Sequence, residues 1–478
     1  MKISRRHVVG AGLAGTAALA GIPVARHVGW NMKDFTRADY SADLPETPPG
    51  ETAWQNWAGN IRATPVEIAA PGSEAELAEL VARADGPVRA VGSGHSWTGL
   101  VKSEGRIVDV SRLAGIRHFD PETGEVRIGA GTRLRAAARG LSEHGRAFAN
   151  LPDIDVQTLA GSFSTATHGT GRDLPAIHDH AVGFRIVTAS GETIEADRDN
   201  HPDLFQAGKV SLGALGIITE YRLRTVPAFN LRRRMVVEEV DTLLERFPDA
   251  VEGNRNFEFY YVPGTRLAAF IEHNLHDGPV EGRPPSEDED TVAELRRLRD
   301  MFGWSNWLRG RLIRSAFPEP VLEDTTDESW RLLSTARLTK MHEMEYHLPV
   351  ENALDAMREI FTYLDRRRDV FFPVEIRYTA ADDAWLSPFN DGPRISIAVH
   401  SAVDEDYSFF FDVLEPLHLR HGGRPHWGKH HSLRHDRLSA MYPRFEDFAE
   451  LRRSLDPAGK FLNAHLAGLF GEDAAGLS

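Results

Sequence analysis

The stretch Pro87-Val88-Arg89-Ala90-Val91-Gly92-Ser93-Gly94-His95-Ser96-Trp97 runs a short strand, Val88 to Val91, into a small polar loop that holds one histidine. Glycine permits positive φ and close backbone approach, so a loop of this kind turns its N–H groups toward a phosphate. His95 adds a nucleophilic nitrogen beside whatever the loop binds. Taken alone, Gly-Ser-Gly-His-Ser also describes a tight turn with a surface histidine. The segments around it decide between the two.

Upstream, Glu74 to Ala84 carries Leu77, Leu80, Val81 and Ala84 at i, i+3, i+4 and i+7, the stripe of a one-sided helix. Downstream, Ile107–Val110 and Glu125–Ile128 read as strands, and Leu134 to His144 as a helix stopped by Gly145. Phe184–Ala189 and Glu192–Ala196 flank Ser190-Gly191, a hairpin turn, and Gly213–Arg224 runs glycine-punctuated into a strand through Ile218. A second glycine-rich stretch lies between these elements. From Val156 to Gly171 the chain has small hydroxyl residues and glycines, with no acid, lysine or arginine. Surface loops carry charge and strands carry fewer glycines. This segment instead suits backbone laid against a large planar or phosphate-bearing ligand, with N–H and hydroxyl donors aimed at it.

At 478 residues the chain is too long for one ordinary core. Seventy acids against 55 bases give a formal charge of −15, which argues against a nucleic-acid partner. The absence of cysteine excludes disulfides, thiolate metal sites and any cysteinyl cofactor bond. Arg5-Arg6 precedes a weakly apolar run reaching about Ala25, which has the length of a signal peptide and is short for a membrane span. Gly10-Ala11-Gly12-Leu13-Ala14-Gly15 inside it matches G-x-G-x-x-G, but no strand precedes it, so it is not a dinucleotide fingerprint. The paired arginines resemble a twin-arginine leader, used for proteins exported already folded. An exported protein with no stable membrane insertion is therefore expected.

Composition shifts near Pro227. Beyond it strands (Phe257–Val262, Leu267–Ile271) mix with helices (Glu294–Phe302, Val350–Tyr363), and Asp277 to Asp290, with the acids Glu287 to Asp290, reads as a solvated loop. Val374-Glu375-Ile376-Arg377-Tyr378 reads as a strand with Glu375 and Arg377 on one face, and Ile395 to His400 as another strand ending in histidine. Arg424-Pro425-His426-Trp427-Gly428-Lys429-His430 follows, then a helix over Arg444 to Leu455 and Asp456-Pro457-Ala458-Gly459-Lys460-Phe461-Leu462-Asn463.

With these stretches in hand, the chain resembles the vanillyl-alcohol-oxidase-type flavoproteins, and more narrowly the sugar-lactone and alditol oxidases. The resemblance runs from about Glu67 to Pro227 and resumes in the C-terminal third, where His-Trp-Gly-Lys is its most specific string. It implies an α+β architecture: a two-part FAD-binding domain over 50–228 and a mixed antiparallel-sheet substrate domain over 229–430. A leader over 1–30 would precede them, and a segment over 431–478 would return to the FAD domain. By the resemblance, Gly92, Ser93, Gly94, His95, Ser96, Thr158, Gly161, Ser162, Thr165, Thr167, His168, Gly169 and Ile218 hold FAD, and His95 bonds covalently to the flavin. Glu375, Arg377, His400 and Lys429 would face the substrate, a polyol or sugar lactone, with O2 reoxidising the flavin. Two departures stand out: Ala464-His465-Leu466 replaces a tyrosine after the terminal asparagine, and Phe163 puts bulk into the flavin-lining stretch.

A dehydrogenase passing electrons to a quinone or protein remains open at this stage. A histidine-ligated metal hydrolase built on His426, His430, His431, His435 and Asp436 is the remote alternative. Pro425 and Gly428 argue against the regular helix such a site needs, no H-E-x-x-H glutamate is present, and no metal is expected.

Overall fold

The computed structural model describes residues 24–37, 53–317, 319–335 and 337–473. The leader assignment falls mostly on residues 1–23, outside the described residues. Its last part does not: Val24–Asn31 is a helix whose Trp30 is buried and donates from Nε1 to the Arg299 carbonyl at 2.9 Å. Trp30, inside the assigned leader, therefore packs as part of the fold.

Among the described residues the N-terminal half is built on two larger sheets, with two two-stranded ribbons beside them. A parallel sheet has the order β1 (Glu67–Ala69), β3 (Arg106–Asp109), β2 (Val88–Val91), and the helix Glu74–Arg83 makes the β1-to-β2 crossover. Ser73 caps that helix by accepting from the Glu76 N–H, and Leu77 and Val81 are fully buried beneath it. The second sheet is antiparallel, built from β4 (Ile116–Phe119), β5 (Glu125–Gly129), β6 (Ala181–Val187), β7 (Thr193–Asp197) and β8 (Ile217–Arg224), in the order β7-β6-β8-β5-β4. The Ser190-Gly191 hairpin joins β6 to β7, with Gly191 at φ 85°.

The C-terminal half is one antiparallel sheet of eight strands. These are β9 (Asn230–Glu239), β10 (Asn256–Val262), β11 (Leu267–His276), β12 (Val321–Glu328), β13 (Met341–Pro349), β14 (Val374–Thr379), β15 (Arg394–Ala402) and β16 (Arg424–Pro425). Their order is β12-β9-β11-β10-β14-β15-β13-β16. One face is apolar: Phe259, Tyr261, Met344, Tyr346, Ile376 and Val399 are buried there, and Phe361 of the helix Val350–Arg366 stacks on Tyr261 at 4.1 Å. By strand alternation the intervening residues Tyr260, Glu343, Glu345, Glu375, Arg377 and His400 all face the opposite way, into a cleft.

The terminal segment closes back onto the first half. Val88 N–H donates to the Lys460 carbonyl at 2.8 Å, and Asn463 Nδ2 reaches the Gly99, Leu100 and Lys102 carbonyls. Two expectations need correction. Asp288–Phe302 is a helix, so of the acids read as a solvated loop Glu287 is its N-cap and Asp288, Glu289 and Asp290 form its first turn, where carboxylates favour the unpaired N–H groups. One of them, Glu289, accepts from the Leu338 and Thr339 N–H groups at 2.8 and 2.9 Å and lines the cleft. Phe163 does not enter the cleft: it is fully buried in the core against Tyr221, 4.8 Å away. His465 likewise packs on Gly99 rather than lining the cleft.

Candidate active site

The cleft between the two halves holds about 1910 Å³ of unfilled space, its mouth included. Its floor is the loop after β2. The backbone N–H groups of Ser93, Gly94, His95 and Ser96 have no acceptor among the described residues, and all four residues line the cleft. Consecutive unpaired donors around a positive-φ glycine (Gly94, 67°) form a cradle for an anion. The second glycine-rich stretch supplies the adjoining wall. Thr158 caps the short helix Leu159–Ser164, accepting from Gly161 N–H at 3.2 Å, and a Cβ on Gly92 would stand 2.1 Å from its Oγ1. Loop and helix thus meet at a point that admits only glycine. Arg89 ties the surroundings together, donating to the carbonyls of Leu100 (2.8 Å), Leu212 (2.8 Å), Gly213 (2.6 Å) and Phe461.

His95 stacks on Trp57 with ring centroids 4.7 Å apart. Burial, with the Lys429 and Arg133 charges nearby, pushes its pKa down to about 4, so its imidazole is neutral and nucleophilic at neutral pH. The other residues expected to hold a cofactor, Gly92, Thr158, Gly161, Ser162, Thr165, Thr167, His168 and Ile218, all line the same cleft. Gly169 does not; a Cβ there would press on the Leu151 carbonyl at 2.4 Å, so it serves close backbone packing. His168 is tied across to the sheet, its Nε2 lying 2.7 Å from Glu345 Oε1.

The roof is the polar face of the eight-stranded sheet. Glu375 and Arg377 do lie side by side, paired to each other. Tyr260 donates to Glu375 at 2.5 Å, and Arg377 Nε donates to Glu258 at 2.9 Å. Beyond them Arg337 donates to Asp153 at 2.7 and 2.9 Å. Burial opposes charge on Asp153, but Arg337 and Arg377 hold its carboxyl well below the usual range. His400 Nδ1 lies 3.0 Å from the Pro373 carbonyl. A carbonyl only accepts, so the neutral ring keeps its proton on Nδ1 and presents a bare Nε2.

The His-Trp-Gly-Lys string lies along the edge of β13. His426 and His430 N–H donate to the Glu345 and Glu343 carbonyls at 3.0 and 2.9 Å, and Trp427 is fully buried with Nε1 on the Leu386 carbonyl. Gly428 sits against Ser96, and its carbonyl accepts from Trp97 N–H at 2.8 Å, so the string latches directly onto the His95 loop. Lys429 thereby reaches the cleft beside His95, over the Trp97 ring at 4.4 Å. The histidines of the hydrolase alternative disperse. His430 pairs with His342 at 3.0 Å, His435 with Glu446 at 3.2 Å, and His431 packs 6.2 Å from Trp427.

The sequence reading passed over Glu343 and Glu345, Tyr260, and the Asp153–Arg337 pair. The alternation Glu343-Met344-Glu345-Tyr346 was the available signal: paired carboxylates on one face of a strand whose other face carries Met344, Tyr346 and Leu348.

An anion cradle beside a nucleophilic histidine, roofed by a dense set of polar side chains, defines a flavin-binding oxidoreductase. Residues 65–197 accordingly match an FAD binding domain, and residues 221–469 match D-arabinono-1,4-lactone oxidase. The chain belongs to the D-arabinono-1,4-lactone oxidase family. It is 33% identical to L-gulono-1,4-lactone dehydrogenase of Mycobacterium tuberculosis over 435 residues, covering 87% of this chain and 99% of that protein. It is 31% identical to alditol oxidase of a Streptomyces species over 434 residues, covering 87% and 99%. Cholesterol oxidase from B. sterolicum shares the fold, with a TM-score of 0.70 at 15% identity over 90% of this chain and 100% of that one. The unpaired amides of Ser93 to Ser96 and the charge-free wall from Thr158 to Thr167 fit FAD, the first as a pyrophosphate cradle and the second as a flat surface.

Proposed function

We propose that this protein oxidises an alcohol carbon of a polyol or sugar lactone with FAD attached covalently through His95, and that O2 reoxidises the flavin to give hydrogen peroxide. The observation that carries the reading is one cleft holding both the His95 loop and the Glu375, Arg377, His400 and Lys429 side chains, joined by the Gly428–Trp97 hydrogen bond. FAD, when bound, supplies the hydride acceptor. The protein supplies position and charge. The bare Nε2 of His400 takes the hydroxyl proton, Lys429 polarises that hydroxyl, and Glu375 with Arg377 binds the neighbouring substrate hydroxyls. Neutral His95, its proton lost to burial, is suited to bond carbon.

Acid precipitation of the purified protein tests the attachment. A yellow pellet that turns colourless in His95→Ala is expected; flavin released to the supernatant of the wild type refutes the bond. A second reading, transfer of electrons to a quinone or protein acceptor, is favoured by the name of the M. tuberculosis relative, a dehydrogenase. Peroxide formed in step with substrate consumption separates the two. We further propose export through the Arg5-Arg6 leader. The paired arginines support it, and among the described residues no helix is long and apolar enough to cross a membrane. Cleavage after Ala20 would leave the packed Val24–Asn31 helix intact. A secreted reporter carrying residues 1–30 should be retained in the cell when both arginines are changed to lysine.

A further inference from the structure

Glu343 lies on β13 directly opposite His400 on β15. Its side chain is 5% exposed, yet it lines the cleft. One carboxylate oxygen pairs with Lys429 Nζ and the other lies 3.7 Å from the bare Nε2 of His400. Glu375 faces the same point: Glu343, Glu375 and His400 offer polar atoms within 4.8 Å of one another. Such a cluster invites a cation, but the chain already provides them. Glu375 is neutralised by Arg377 and held by Tyr260, and Glu343 by Lys429. The neighbouring carboxylate on β13, Glu345, is engaged by His168. Burial opposes the charge on Glu343, but the Lys429 ammonium beside it brings its pKa down to about 2.

We propose that Glu343 is a positioning residue that fixes the Lys429 ammonium and the His400 imidazole toward the substrate and counterbalances the proton His400 receives. The proposal rests on the reading of the cleft as an alcohol-oxidising site. In that reaction the hydroxyl O–H bond breaks, and the proton bonds to His400 Nε2. The electron pair left on oxygen forms the second bond of the carbonyl as the carbon gives up its hydride to the cofactor. Before transfer, the Glu343–Lys429 pair is neutral. After it, the Glu343 carboxylate, 3.7 Å from Nε2, stabilises the imidazolium, while Glu375 in the same cluster is already paired with Arg377.

The test uses full-length enzyme with flavin bound, in Glu343→Gln and Glu343→Asp forms, with sulfite as an anionic probe followed by flavin absorbance. Replacing the carboxylate by an amide leaves the Lys429 ammonium uncompensated in a buried site. Sulfite should therefore bind E343Q about tenfold or more tightly than wild type. Under anaerobic conditions, flavin reduction by saturating substrate should slow by about tenfold or more, with half-saturation changed by less than about threefold. E343D keeps the charge but withdraws it by one methylene, so sulfite affinity should stay near wild type while reduction slows. Wild-type sulfite affinity and reduction rate in E343Q would overturn the proposal. Should E343Q fail to hold flavin, E343D decides alone: unchanged reduction, or tighter sulfite binding, overturns it. Sulfite binding needs no substrate, so a wild-type flavin that no polyol or lactone reduces would count against the proposed function separately.

Discussion

A single methyl group at Gly92 tests how the cofactor loop is held. A Cβ there would lie 2.1 Å from Thr158 Oγ1, 2.9 Å from its Cγ2 and 3.0 Å from its Cβ, the first more than an ångström inside contact distance. Thr158 has nowhere to retreat. It is 3% exposed and its Oγ1 caps the Leu159–Ser164 helix through Gly161 N–H. Overpacking costs about 1–3 kcal/mol, and rotating Thr158 away forfeits a cap worth about 0.5–2 kcal/mol. Gly92 is not among the positive-φ glycines, so its backbone accepts alanine and the stiffer unfolded chain returns about 0.4–1 kcal/mol. Gly92→Ala should therefore lose about 2 kcal/mol of stability and retain less flavin. Thr158→Ala alone should lose about 1 kcal/mol of cap. The double variant should cost about 1 kcal/mol less than the sum, because the alanine removes both nearest atoms. Denaturant unfolding with parallel flavin quantitation reads all three. Strict additivity, or a Gly92→Ala protein as stable as wild type, would refute the loop–helix contact as the reason glycine stands there.

Other perturbations bear on chemistry and stability. His400→Ala should lower the rate of flavin reduction by about a hundredfold or more, with protein stability little changed, the usual scale for loss of a positioned proton acceptor. Stopped-flow reduction at saturating substrate measures it. Stability should fall as pH drops from about 6.5 toward 4. His180, His342, His426 and His465 are held neutral by burial, with pKa values pushed down to about 4, and His418 and His430 to about 3. Unfolding frees them to bind protons near pH 6.5, so the unfolded state gains protons across that window and is favoured by acid. Thermal melts from pH 7.5 to 4.5 show this as a steep, monotonic loss. Arg299→Met should destabilise by about 3 kcal/mol, because it removes the bidentate partner that holds the buried Glu405 carboxylate at 2.5 and 2.8 Å and leaves it only the half-exposed Arg296, 3.1 Å away. Adding Glu405→Met should recover much of that loss in the same melts.

Where local rules governed the chain, the sequence was readable. Val88–Val91 begins just after Pro87 and ends just before Gly92, and the 74–83 helix starts at its serine cap. Glu375 and Arg377 share a face because strand alternation leaves them no choice. What misled the reading was charge. Acids at 287–290 resemble a solvated loop, but the same residues favour a helix N-terminus, and only tertiary contact with residues 338 and 339 shows that Glu289 reaches the cleft. Glu343 and Glu345 look like a solvent-facing edge of β13 until the first domain covers them. Phe163 stood in the right stretch with its side chain on the far side of a helix too short to announce its period.

If the cleft oxidises a polyol or sugar lactone, the bound flavin itself reports the reaction. The direct measurement is an anaerobic titration of the yellow enzyme with a panel of aldonolactones and alditols. At least one should bleach the flavin, air should restore the colour with one peroxide per substrate consumed, and His400→Ala should bleach far more slowly. A fully loaded enzyme that keeps its colour against the entire panel would contradict this activity.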